Sequence, residues 1–352
     1  MRRVTTLAAA VLAGALALTS CGGDGDDDST TTPKGDDSSS SAPASDLKVG
    51  LAYDIGGRGD QSFNDAAAAG LDKAKADFGV ETKEAEATNG EPDSAKEERL
   101  RALASAGFNP VIAVGFAYSG AVKKVAAELP DTQFAIIDDA AATGDNIANL
   151  LFAEEQGSFL VGAAAALKTE SDNVGFVGGV DVPLIHKFEA GYEAGAKAVT
   201  PNIKVQVKYL TQPPDFSGFG DPAKGKTAAA GMYDKGADVV YQAAGGSGGG
   251  VFEAAKDAGA YAIGVDSDQY NTADPKVRDV IITSMLKKVD VAVYDFISQV
   301  VDDNFTAGPV TYDLEKDGVG YSTSGGQIDD ITSKLDDYKQ QIIDGSITVP
   351  TK

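Results

Sequence analysis

Between positions 54 and 64 the chain reads Asp-Ile-Gly-Gly-Arg-Gly-Asp-Gln-Ser-Phe-Asn. A carboxylate (Asp54), an apolar ring (Phe63) and a carboxamide (Asn64) thus gather around a glycine-rich turn, between an apolar run and an alanine-rich one. An ionised Asp only accepts hydrogen bonds, Asn both donates and accepts, and a phenyl face is flat and apolar. That set suits a heterocycle with polar edges better than it suits the making or breaking of a bond. Plainer uses exist for each: Asp54 can cap the turn and Phe63 can be core.

Catalytic chemistry is thinly supplied. The chain has one histidine, His186, and one cysteine, Cys21, so neither a Cys–His pair nor a histidine-rich metal centre is available. Asp266 and Asp268 resemble the start of a calcium loop, but the twelfth position is Val277 rather than Glu. Positions 220–227 match the spacing of a phosphate-binding P-loop. Such a loop needs a buried strand running straight into it, whereas positions 211–219 contain Pro213 and Pro214 and no apolar run. The glycines at 245–250 read as a ligand-side turn. No metal, cofactor or enzymatic activity is expected.

The elements that must position these groups are short apolar runs alternating with alanine-rich amphipathic stretches. Strands are predicted at 48–53, 110–115, 133–137, 173–177, 205–209, 238–242, 261–265 and 280–284. Helices are predicted at 64–78, 94–106, 119–128, 188–199, 223–235 and 250–258. This α/β alternation implies parallel sheets covered on both faces. The units would overfill one sheet, and the pattern breaks near 139–152, so two doubly wound, Rossmann-like lobes are expected. Ligands bind beyond the carboxyl ends of strands in such sheets, where Asp54, Gly115, Phe116, Asp138, Gly178, Gly179, Gly245, Gly246 and Asp266 all fall.

The ends and the charge bound the setting. Arg2 and Arg3 precede an apolar run at 7–18 that is too short to span a bilayer, followed by Cys21. Residues 1–21 read as an export signal whose cysteine sits as in a lipobox, and 22–46, rich in Asp and Ser, as a disordered acidic tether. A net charge of −23 argues against nucleic acid as a partner. With a single cysteine, no internal disulfide can form.

From Asp54 to Leu71 the chain resembles the opening of the basic membrane protein family, the purine nucleoside receptor A-like lipoproteins. The likeness continues through Val114-Gly-Phe116, Phe134 to Asp138, Gln156 to Leu160, Phe188 to Tyr192, Gly245 to Val251, Ile263 to Asp268, Thr283 to Lys287 and Ile342 to Pro350. The resemblance implies a type I periplasmic-binding fold with a hinge. The lobes are expected at 47–152 with 281–305, and at 153–280 with 306–352. It implies a membrane-anchored, extracytoplasmic binding protein of an ABC importer, with a nucleoside (a purine above all) as ligand and permease subunits as partners, acting as a monomer. Carried over by position, Asp54 and Asn64 read the base and Phe63 stacks on it. Asp266 and Lys287 hold the ribose, with Asp138, Gly245 and Gly246 nearby. The second stacking ring falls on Phe219, with Phe216 as the alternative; Lys287, next to Lys288, also suits a solvated charge. Cys21 would carry the lipid. A sugar or another small metabolite in the same fold, or ligand sensing for a signalling partner, are the competing expectations.

Overall fold

A computed structural model describes residues 45–352. The expected export signal, Cys21 and nearly all of the tether lie outside the described residues. Among the described residues no helix is long and apolar enough to cross a membrane.

The chain opens with β1 (Lys48–Ala52), α1 (Phe63–Phe78), β2 (Glu81–Ala85), α2 (Asp93–Ser105), β3 (Val111–Ala113), α3 (Ser119–Glu128), β4 (Phe134–Ile137) and β5 (Ile147–Phe152). It continues with α4 (Glu154–Lys168), β6 (Asn173–Val180), α5 (Pro183–Val199), β7 (Lys204–Thr211), α6 (Pro222–Tyr233), β8 (Val239–Ala243), α7 (Gly248–Ala258), β9 (Tyr261–Asp266), the single turn α8 (Gln269–Thr272) and β10 (Ile281–Lys287). Last come α9 (Val289–Val301), β11 (Gly308–Tyr312), β12 (Val319–Tyr321) and α10 (Thr332–Ile343). Two sheets result, ordered β11-β5-β4-β3-β1-β2 and β12-β10-β9-β8-β6-β7. Every pairing is parallel except β10 with β12. The two doubly wound lobes expected from the alternation are present.

The central strands are buried on both faces, as Val49, Leu51, Val111, Ile112, Phe134 and Ile136 illustrate in the first sheet. That double burial is what a run of apolar residues without alternation encodes. β2, at the sheet edge, reads Glu-Thr-Lys-Glu-Ala and has no such run, so the apolar pattern did not reveal it. β5 lies inside the stretch that reads as a break at 139–152. α4 is buried almost all round and lacks the polar stripe of a surface helix.

The segment boundaries need one correction. β10 pairs with β9 in the second sheet, and β11 pairs with β5 in the first. Residues 281–287 therefore belong to the second lobe and β11 to the first, the reverse of the expected split at 281 and 306. α9 packs on α1 as expected for the first lobe. The chain crosses between lobes at Ala153, at Lys288 and across 313–318. Backbone bonds tie these crossings, from Ala153 N to the Tyr312 carbonyl at 3.0 Å and from Lys288 N to that of Gly318 at 2.9 Å.

Within the second lobe α4 and α5 meet backbone to backbone. A Cβ at Gly162, Gly191 or Gly195 would lie 2.1, 2.1 or 1.9 Å from the carbonyl oxygens of Tyr192, Glu155 and Phe159. No side chain fits there without separating the helices.

Candidate functional site

In each sheet the strand order reverses beside its first strand, leaving a crevice between β1 and β3 in one lobe and between β6 and β8 in the other. Between the lobes lies a concave cleft, the kind of place where small-molecule sites form. Asp54, Phe63, Asn64, Gly115, Phe116 and Asp138 line it from the first lobe. Leu184, Ile185, Phe188, Phe219, Gly245, Asp266 and Lys287 line it from the second. All the predicted site residues in the folded part except Gly246 are brought together. Gly246 sits just outside, where a Cβ would be 3.8 Å from that of Asp60.

Asp54 emerges from β1 at its turn. One carboxylate oxygen accepts from Ile55 N at 2.8 Å. The other packs on Gly115, where a Cβ would lie only 2.3 Å away and where the backbone has φ +95°. Only glycine meets both demands. Asn64 is buried and fully occupied by its own lobe. Its Oδ1 accepts from Asp54 N at 3.0 Å, and its Nδ2 donates to Asp60 Oδ2 at 3.0 Å and to the Ile55 carbonyl at 3.4 Å. The carboxamide thus orients Asp54 rather than offering a free edge. That departs from the expected base-reading amide: Asp60, a cleft residue that the motif alone did not single out, takes the donors.

Four phenyl rings line the cavity, Phe63 and Phe116 from the first lobe and Phe188 and Phe219 from the second. Phe63 opens α1; Phe219 is carried by the loop after β7 and packs against Gly179, where a Cβ would come within 2.4 Å of the ring. Phe216, the alternative, instead meets Phe116 edge to face at 6.0 Å between centroids and does not line the cavity. The P-loop spacing at 220–227 is realised as the start of α6, capped by the Asp221 carboxylate accepting from Lys224 N. A negative cap there opposes anion binding.

Lys287 is the only cation lining the cleft among the described residues, and it is buried. Its ammonium donates to Asp138 Oδ2 at 2.5 Å and lies 3.4 Å from Glu154 Oε1. It also stands 5.0 Å from the ring centres of Phe63 and Phe152 and 5.6 Å from that of Phe188, within cation–π range. A solvated lysine is excluded by this setting. Burial opposes its charge, yet Asp138, Glu154 and Asp266 together hold its pKa above the ordinary lysine range. Asp138 Oδ1 is buried with no partner, so one oxygen remains to accept a bond from a bound molecule. Burial, reinforced by Glu154, pushes Asp138 up to about 7 despite Lys287. Burial also raises Asp54 and Asp60 to about 6, and raises Asp266. Glu154, the first residue of α4, carried no readable signal in the sequence. Among the described residues no cluster of acidic, His or Cys side chains could hold a metal.

Comparison with known proteins agrees with this architecture. Residues 47–352 match the Bmp family, described as ABC transporter substrate-binding protein PnrA-like. The ABC transporter nucleoside-binding protein BmpA of Lactococcus lactis is 35% identical, covering 88% of this chain and 90% of its own. An uncharacterised lipoprotein of Pyrococcus abyssi is 37% identical over 79% of this chain and 69% of its own. Among solved structures, an ABC transporter solute-binding protein from Aeropyrum pernix superposes with a TM-score of 0.75 at 31% identity, covering 87% of this chain and 94% of that one.

Proposed function

The chain belongs to the PnrA-like family of ABC transporter substrate-binding proteins, and from that premise we propose that its ligand is a nucleoside, with a purine as the base. Members of this family are not enzymes; they carry a ligand to permease subunits. The observation that supports a base is the pair of phenyl rings, Phe63 and Phe219, that line one cavity from opposite lobes. Each stack contributes about 1–3 kcal/mol by analogy with base–aromatic stacking elsewhere. Ring faces carry little identity, so the edge falls to Asp54, whose free oxygen accepts from a ring N–H. Asp266, the open oxygen of Asp138 and the Lys287 ammonium form a second polar set, which suits ribose hydroxyls that both donate and accept.

The lobes close on the ligand about the three crossings, and the closed monomer is what the permease receives. Anchoring belongs to the same proposal. The lipobox-like Cys21, together with a lipoprotein among the relatives, supports a lipid-held protein on the extracytoplasmic face.

Titration calorimetry with inosine, guanosine and adenosine, set against ribose and glucose, tests the reading. Micromolar or tighter binding of at least one purine nucleoside is expected. Heat from sugars alone would replace the nucleoside with a sugar, and mass spectrometry of ligand released from the purified protein gives an independent answer.

A further inference from the structure

A serine at the start of a helix ordinarily turns its hydroxyl back onto the free backbone N–H groups of the first turn. Ser62 holds that position on α1 and makes no such bond. The N–H groups of Asn64 and Asp65 are taken instead by the Asp60 carboxylate, at 2.9 and 3.1 Å. The displaced hydroxyl crosses the cleft. It donates to Asp266 Oδ2 at 2.6 Å and lies 3.4 Å from the Val265 carbonyl, with Ser62 wholly buried.

The second lobe reaches back in the same place. Ser267 Oγ donates to the Ser62 carbonyl at 3.0 Å, and Gln269 Nε2 donates to that of Gln61 at 2.9 Å. Gln269 is braced for this within its own lobe, where its Oε1 accepts from Val265 N at 2.8 Å. The backbone is left-handed at both facing positions, with φ +57° at Gln61 and +62° at Asp266. Residues other than glycine rarely hold that conformation unless their surroundings impose it.

We propose that Ser62 is a positioning residue that latches the two lobes together, a protein-to-protein closing contact that sets the balance between open and closed cleft. Its bonds exist only when the lobes meet, and burial strengthens them because water does not compete. The latch occupies one oxygen of Asp266 and leaves the other for whatever fills the cleft. Closure is thereby partly prepaid by the protein itself, and the ligand supplies only the remainder.

The test uses the ligand-free full chain with Cys21→Ser, spin-labelled at Glu98→Cys on α2 and Asp257→Cys on α7, both exposed. Pulsed electron resonance reads the interlobe distance distribution. Ser62→Ala is expected to shift the open–closed ratio about tenfold toward open, the effect of losing one buried bond to a carboxylate, with the melting temperature little changed. An unchanged distribution overturns the proposal, and so does a lowered melting temperature with unchanged distances, since the hydroxyl would then only support α1. Should Ser62→Ala fail to fold, Ser267→Ala carries the same two readouts: opening supports the latch, and an unchanged distribution overturns it.

Discussion

The two lobes share one strand order yet bring different things to the cleft. The first offers its groups from turns that follow directly on β1, β3 and β4, and the turn after β1 is locked by short-range bonds: Asn64 holds Asp54, and Asp60 holds Asn64. The second offers its ring from a longer loop between β7 and α6, and it holds Lys287, the one cleft-lining cation among the described residues, at the end of β10. One half-site is an edge reader held within its own turn; the other combines a ring packed against Gly179 with a buried charge. The same frame can therefore keep its polar reading constant while the ring-bearing loop varies.

Removing the charge is the severest way to break that contrast. Lys287→Met leaves Asp138 and Asp266 without a cation and Glu154 with Lys187 alone, which donates to it at 3.0 Å. A loss of about 3–5 kcal/mol is expected, as for a broken buried ion pair, read by urea unfolding. Binding should be abolished in the fraction that still folds. A stable variant with intact affinity would remove Lys287 from the centre of this account.

The rings come next. Phe63→Ala and Phe219→Ala should each weaken nucleoside binding by about 1–3 kcal/mol in calorimetry, and Phe216→Ala far less. A larger effect at Phe216 would transfer the second stack to it.

Titration sharpens the edge-reading half. Asp54 sits at about 6 in the fold against an ordinary 3.8. Between those values the folded chain holds a proton that the unfolded chain has released, so this group's contribution to stability is lost as pH rises through that window. Binding through ionised Asp54 runs the other way. Affinity for inosine or guanosine, whose ring N–H needs an acceptor, should fall about tenfold from pH 7 to pH 5 through Asp54, and Asp54→Asn should make the profile shallower, leaving the part carried by Asp60 and Asp138.

The smallest expected effect lies on the ring-bearing loop. Asp221→Ala removes the cap of α6 and should cost about 1 kcal/mol of stability with affinity unchanged. A change in affinity would mean that α6 also sets the position of Phe219.

Much of this was legible beforehand for a physical reason. Strands buried on both faces write themselves as apolar runs, and a ligand turn writes itself as glycines next to a polar residue, so β1, its turn and α1 could be read together. Edge strands such as β2 and β11 gain little from burial and so carry little pattern. The order in which β10 and β11 return to their sheets is set by tertiary pairing, which no local window contains. Phe216 and Phe219 share a proline-rich loop, and only contact with Gly179 on a distant strand separates them. In the sequence Asn64 has the type of a ligand contact, but its partners lie within its own turn. Asp60 gives no distinct signal, since a carboxylate that takes four local donors looks the same in sequence as one that awaits a ligand.

The glycine-lined meeting of α4 and α5 has a mechanical consequence. α4 begins directly at the Ala153 crossing, and the first turns of α5 carry Leu184, Ile185 and Phe188 into the cleft wall. With backbone pressed on backbone, there is no compressible side-chain layer between pivot and wall. A rotation begun at the crossing reaches those residues undamped, and the pair acts as a stiff lever. A bulkier residue at Gly191 would add slack, and closure would lose precision before the lobe lost its fold.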